Sequence, residues 1–158
     1  MPNFIEVLNE LKTNGADPTR AKYLTQLHQH TNRNIICYYS GWLQKPEFNT
    51  GIDDDDKNSF MTVINKLDRS KGLDLILHTP GGNVVATESL IEYIMTMFNN
   101  DVRAIVPQLS MSSGTILACA CKSIVMGKQS SLGPIDPSLG IYSLSLIHIS
   151  EPTRHSLI

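Results

Sequence analysis

Residues 73–82 read LDLILHTPGG, an apolar strand over 73–79 that ends in Thr79-Pro80-Gly81-Gly82 just before helical spacing resumes. The arrangement recurs at residues 102–115, VRAIVPQLSMSSGT, where an apolar strand is followed by a Ser-rich turn at 110–114 and a helix of small residues. Parallel strands joined through a crossover helix bring such turns to one sheet edge, where ligands of open α/β folds bind. One turn offers backbone N–H groups to an oxyanion and the other offers a serine hydroxyl. The pairing reads as acyl transfer.

Outward from these turns, the pattern predicts further elements in alternation. Phe4, Ile5, Leu8 and Leu11 are spaced as one face of a short amphipathic helix. A second helix is expected from Asp17 as N-cap and Pro18 in the first turn to about His30. Residues 34–40, NIICYYS, are β-branched and aromatic and read as a strand; 41–51 reads as a loop. The acidic run 53–56 is a better helix start than a metal site, since Phe60, Ile64 and Leu67 continue it as an apolar stripe. Gly72 closes that segment. A helix over 86–99, a helix over 115–121, a short strand at 123–126 and a loop over 127–140 complete the reading. The order predicts an α/β fold with a mainly parallel sheet and helices on both faces.

A chain of 158 residues is enough for one domain with a real core. Its net charge of −2 and its lack of a Lys/Arg run give no electrostatic case for nucleic acid. No apolar run approaches the ~20 residues of a membrane span. The N-terminus carries Glu6 and Glu10 within its apolar pattern and lacks the basic start of a signal peptide. Cys37, Cys119 and Cys121 form neither a disulfide framework nor a CxxC motif. They are expected to be small buried fillers, in a reducing, cytoplasmic setting. His28 and His30 lie two apart on a helix and so face differently, which argues against a metal site; His78, just before the PGG turn, could border the active site, but a packed, hydrogen-bonded strand histidine is the simpler reading.

A nucleophilic serine needs exposure at a turn, a base, and donors for the oxyanion. Ser110, Ser112 and Ser113 compete for that role, and Ser112 could equally cap the following helix. SMSSG lacks the first glycine of G-x-S-x-G. Pro80-Gly81-Gly82 is neither G-x-G-x-x-G nor followed by GK[ST], so a nucleotide site is disfavoured and no cofactor is expected.

HTPGG (78–82), MSSGT (111–115) and SIVMGKQSSLGPIDP (123–137), with YYSGWLQK (38–45) upstream, closely resemble the serine dehydrogenase proteinase family. That family belongs to the Clp-protease/crotonase superfamily and is related to signal peptide peptidase A. The resemblance spans roughly residues 20–137 and implies a Clp/crotonase-like fold of stacked ββα units. It selects Ser112 as nucleophile, because the family's turn reads M-S-A-G-T; Ser113 stands where Ala is usual. It also implies the backbone N–H groups of Gly82 and Ser113 as the oxyanion hole, with Gly81 and Met111 beside them as substrate-binding residues. The Clp protease places a histidine in the loop after the next strand, and here GPIDP offers Asp136. An ionised Asp is too weak a base unless its pKa is raised, so Asp136 is at most an orienting group, and an Asx-Pro turn with Pro137 is the simpler reading. A Lys or His from elsewhere is the expected base. The dehydrogenase of the family name finds no dinucleotide fingerprint here.

Residues 144–154, LSLIHISEPTR, break with the preceding pattern and resemble a translated transposon-type sequencing adapter. On that reading the domains are an N-terminal helical segment at 1–33, an incomplete catalytic domain at 34–140, and an artefactual tail at 141–158 that includes His148 and His155. The expected function is a serine peptidase acting on peptide or protein substrates through a Ser112 acyl-enzyme, a homo-oligomer at full length and inactive when truncated. The alternatives are a crotonase-like acyl-CoA enzyme and a non-catalytic peptide-binding scaffold.

Overall fold

The computed structural model describes residues 2–42, 50–135, 138–139 and 142–143. Helix α1 (Phe4–Asn14) opens with a capping box in which Asn3 accepts from the Glu6 N–H and Glu6 reaches back to the Asn3 N–H. Helix α2 (Ala16–Thr31) starts two residues earlier than its Asp-Pro signal suggests, because Gly15 at φ 85 joins it to α1. Asp17 is therefore not the cap; it lies inside the first turn and pairs with Arg20 at 2.9 Å. Strand β1 (Asn34–Tyr39) follows. Helix α3 (Asp54–Ile64) begins at the acidic run, where Asp53 and Asp56 form a second capping box. A 3-10 turn (Arg69–Lys71) and Gly72 at φ 64 lead into strand β2 (Leu73–His78). Helix α4 (Val84–Met97), strand β3 (Val102–Val106), the two-residue β4 (Leu109–Ser110), helix α5 (Ser113–Ala120) and strand β5 (Ser123–Met126) continue the alternation.

Strands β1, β2, β3 and β5 form one parallel sheet in the order β1-β2-β3-β5. One face carries Leu73, Leu75 and Leu77 of β2 with Val102, Ala104 and Val106 of β3, all at 0% exposure. These join Phe60 and Ile64 of α3, Leu90 and Ile94 of α4, and Leu117 of α5 in a single core. The Tyr38 ring meets Phe60 with centroids 5.9 Å apart, which places α3 on that face. The second face is thinly covered: across the register Cys37, Ile76, Ile105 and Val125 form a row in which Cys37 and Val125 are exposed. At its other end Asp74, fully buried, receives Arg33 at 2.7 Å and Arg103 at 2.6 Å, and Arg33 also bonds Asp101 at 2.8 Å. This charge network ties the C-terminus of α2 to β2 and β3.

The stretch after β5 is more ordered than its Gly/Pro content predicts. Strand β6 (Ser131–Leu132) pairs in parallel with β4, and β7 (Ser138–Leu139) forms an antiparallel pair with β8 (Tyr142–Ser143). The cysteine expectation is corrected in part: Cys121 is buried, but Cys37 and Cys119 are exposed. Cys37 points to the thinly covered sheet face, and Cys119 falls on the outer side of α5.

Candidate active site

The two glycine- and serine-bearing turns meet where β2 ends. Thr79 forms a parallel bridge with Ser110: its N–H donates to Leu109 O at 3.3 Å and its carbonyl accepts the Met111 N–H at 3.0 Å. On the opposite side Gly82 forms a parallel bridge with Ile52, through Ile52 N–H to Gly81 O at 2.9 Å and Asn83 N–H to Ile52 O at 2.8 Å. In such a ladder the residue whose two neighbours make the bonds turns its own N–H and C=O away from the partner. The Gly82 N–H is thus directed away from Ile52.

Both glycines are required by contact. Gly81 sits at φ 97, and a Cβ there would lie 2.6 Å from Met111 O and 2.8 Å from Ser112 Cβ. A Cβ at Gly82 would overlap the Ile52 backbone. Close approach of backbone to backbone is the reason for the Gly-Gly pair. Asn83 then caps α4, accepting the Ala86 N–H at 3.0 Å.

Ser112 occupies the N-cap position of α5, yet its side chain makes no capping hydrogen bond. Its backbone lies at φ 51, ψ −123, a region non-glycine residues rarely adopt, at a cost of roughly 1–3 kcal/mol. The residue is half-buried. Carbonyls from the turn are satisfied inside the helix, with Gly114 N–H donating to Met111 O and Thr115 N–H to Ser112 O, both at 2.8 Å. Among the described residues, the N–H groups of Gly82 and Ser113 have no hydrogen-bond partner. The arrangement therefore presents one uncapped hydroxyl and two free amide donors at touching turns. Such a set is equipped for nucleophilic attack on a carbonyl with stabilisation of the resulting oxyanion.

The other two serines of the turn are not available. Ser110 and Ser113 are at 0% exposure, with hydroxyls that find no partner among the described residues. Met111 is packed by Gly133, whose N–H donates to Ser110 O at 3.1 Å and where a Cβ would overlap the Met111 sulfur. Thr115 Oγ1 joins the same knot, donating to Ser110 O at 2.8 Å. Asp136 lies outside the described residues. His78 stacks its ring on Tyr39 at 4.9 Å and meets Trp42 at 4.9 Å. Burial pulls its pKa below the ordinary 6.5.

Sequence reasoning missed Ile52, Thr79, Ser40 and Gly133. Ile52 acts through its backbone, so its side-chain type carries no signal. A glycine at 133, beside the motif turn, was the available hint for the β4–β6 pair.

A profile of the ClpP-like SDH-type serine proteinase family matches residues 4–154. The chain belongs to the ClpP-like SDH-type serine proteinase family. The family match runs further at both ends than the motifs that carry the resemblance, and the mixed α/β fold with its mainly parallel sheet agrees with it. Two uncharacterized proteins of Methanocaldococcus jannaschii are similar to this ClpP-like chain. One is 38% identical over 128 residues, covering 78% of this chain and 44% of its own length. The other is 32% identical over 93 residues, covering 59% of this chain and 32% of its own. The chain thus spans less than half the length of these relatives. Among the described residues no helix is long and apolar enough to cross a membrane.

Proposed function

We propose that this chain carries the nucleophile and oxyanion hole of a serine peptidase. Ser112 Oγ attacks the substrate carbonyl, and the carbonyl oxygen develops negative charge between the N–H groups of Gly82 and Ser113. The leaving amine departs with the proton taken from Ser112, and water hydrolyses the acyl-enzyme. Gly81 and Met111 border the scissile bond. The proton of Ser112 goes to a Lys or His from outside the described residues, with Asp136 as an orienting group. Peptides or proteins are the proposed substrates, a homo-oligomer the proposed assembly, and the cytoplasm the proposed setting.

The observation that carries this reading is the strained, uncapped Ser112 held against Gly81, beside two unpartnered amides. Loss of one oxyanion donor typically costs ~3 kcal/mol in the barrier. A fluorophosphonate probe tests the reading. Labelling at Ser112, abolished in Ser112→Ala, is expected; undiminished labelling of the variant removes the assignment.

A further inference from the structure

Thr79 is fully buried and contacts the glycine turn at Gly81, the strand that leads into the nucleophile turn, and the start of α5 at Gly114. Its backbone carries the bridge to Leu109 and Met111 that anchors the nucleophile turn. Its Oγ1 accepts the Gly81 N–H at 3.1 Å, which fixes the peptide entering the φ 97 residue. Its methyl group lies against Gly114, where a Cβ would sit 2.5 Å from Thr79 Cγ2. Ser40 Oγ lies 3.4 Å from the Thr79 hydroxyl and donates to Thr50 O at 2.7 Å, so the end of β1 and the segment leading to Ile52 are held to the same point.

Each contact has a distinct consequence. The hydroxyl governs the turn at Gly81, and Gly81 governs the direction of the next amide, that of Gly82. The methyl sets how closely the α5 N-terminus, and with it the Ser113 N–H, approaches the glycine turn. A β-branched hydroxyl residue is the side chain that does both: valine lacks the acceptor and serine lacks the methyl. Nothing in the motif reading distinguished Thr79 from an ordinary strand-terminal threonine.

We infer that Thr79 is a positioning residue that aims the Gly82 N–H at the oxyanion formed on attack by Ser112. This rests on the peptidase reading above. Thr79 touches no reacting atom; it acts through Gly81. Its effect therefore falls on transition-state stabilisation more than on substrate affinity.

The test compares Thr79→Val, Thr79→Ser and Thr79→Ala in the intact protein. The readouts are the fluorophosphonate labelling rate at Ser112, kcat and KM on a peptide substrate, and amide exchange at Gly81. Thr79→Val is expected to lower labelling and kcat roughly ten- to a hundredfold, with KM within about twofold, because small misplacements of a catalytic donor have effects of that size. Its Gly81 amide should exchange faster than wild type. Thr79→Ser should stay within about fivefold of wild type, because it keeps the acceptor for the Gly81 N–H. Thr79→Ala and Thr79→Ser differ only by the hydroxyl, so the same gap is expected between them if the valine variant does not fold. Equal kinetics for Ser and Ala at this position, or a wild-type rate in Thr79→Val, overturns the inference alone. Absence of Ser112 labelling in the wild-type protein overturns the peptidase reading and this inference together.

Discussion

Ser112 holds φ 51 without the freedom of glycine, and the strain is offset by the helix that its carbonyl starts. A serine that only capped α5 would sit in extended backbone with its oxygen on an amide two or three residues on; Ser112 does neither. His78 illustrates a different residue-scale effect. Packed between Tyr39 and Trp42, it has a pKa lowered by burial, so the unfolded chain takes up its proton first as pH falls. Its contribution to stability is complete above pH 6.5 and is lost as pH drops through the lower folded value. Unfolding midpoints at pH 7.5 and about pH 5.5 should differ less in His78→Phe than in wild type. Equal differences would show that the ring environment does not govern this histidine.

At the scale of elements, the parallel strands and the helices on them were legible because their apolar periodicity is long and their ends carry strong signals. Asp53 before an acidic first turn and Gly72 before β2 sit where caps and stops belong, whereas the Asn83 cap went unread and α4 begins two residues before its predicted start. What was not legible shares a cause. Strand β6 has two residues and therefore no period, and Gly15 rather than Asp17 starts α2 because the α1–α2 junction sets the backbone there. In the site, the choice of Ser112 over Ser110 and Ser113 came from family resemblance; spacing alone left all three open, since burial is what separates them. The Arg33–Asp74–Arg103 network was also unread, because its members are distant in sequence. Asp74 is completely buried between two guanidinium groups, so Asp74→Ala leaves Arg103 without its carboxylate and Arg33 with Asp101 alone. A loss of about 3–5 kcal/mol is expected from chemical denaturation. A change below about 1 kcal/mol would mean that the network is as weak as a surface pair.

For the whole molecule, the uneven covering of the sheet is the dominant feature. Parallel sheets ordinarily carry helices on both faces. Here α3, α4 and α5 bury one face, while Val125 at 46% and Met126 at 41% remain exposed on β5, a sheet edge among the described residues. Exposed apolar edges promote association. The 158-residue chain is accordingly expected to self-associate, and Val125→Lys to shift sedimentation toward monomer. A wild-type chain that is monomeric at high concentration would contradict this.

The central claim is that Ser112 is the nucleophile of a peptidase. The most direct measurement is mass-spectrometric mapping of a fluorophosphonate adduct on the intact protein, with Ser112→Ala in parallel. The account predicts a single adduct on the peptide containing Ser112 and none on the variant. An adduct elsewhere, or none on the wild type beside saturable binding of a CoA thioester, would contradict it and favour acyl-CoA chemistry on the same fold.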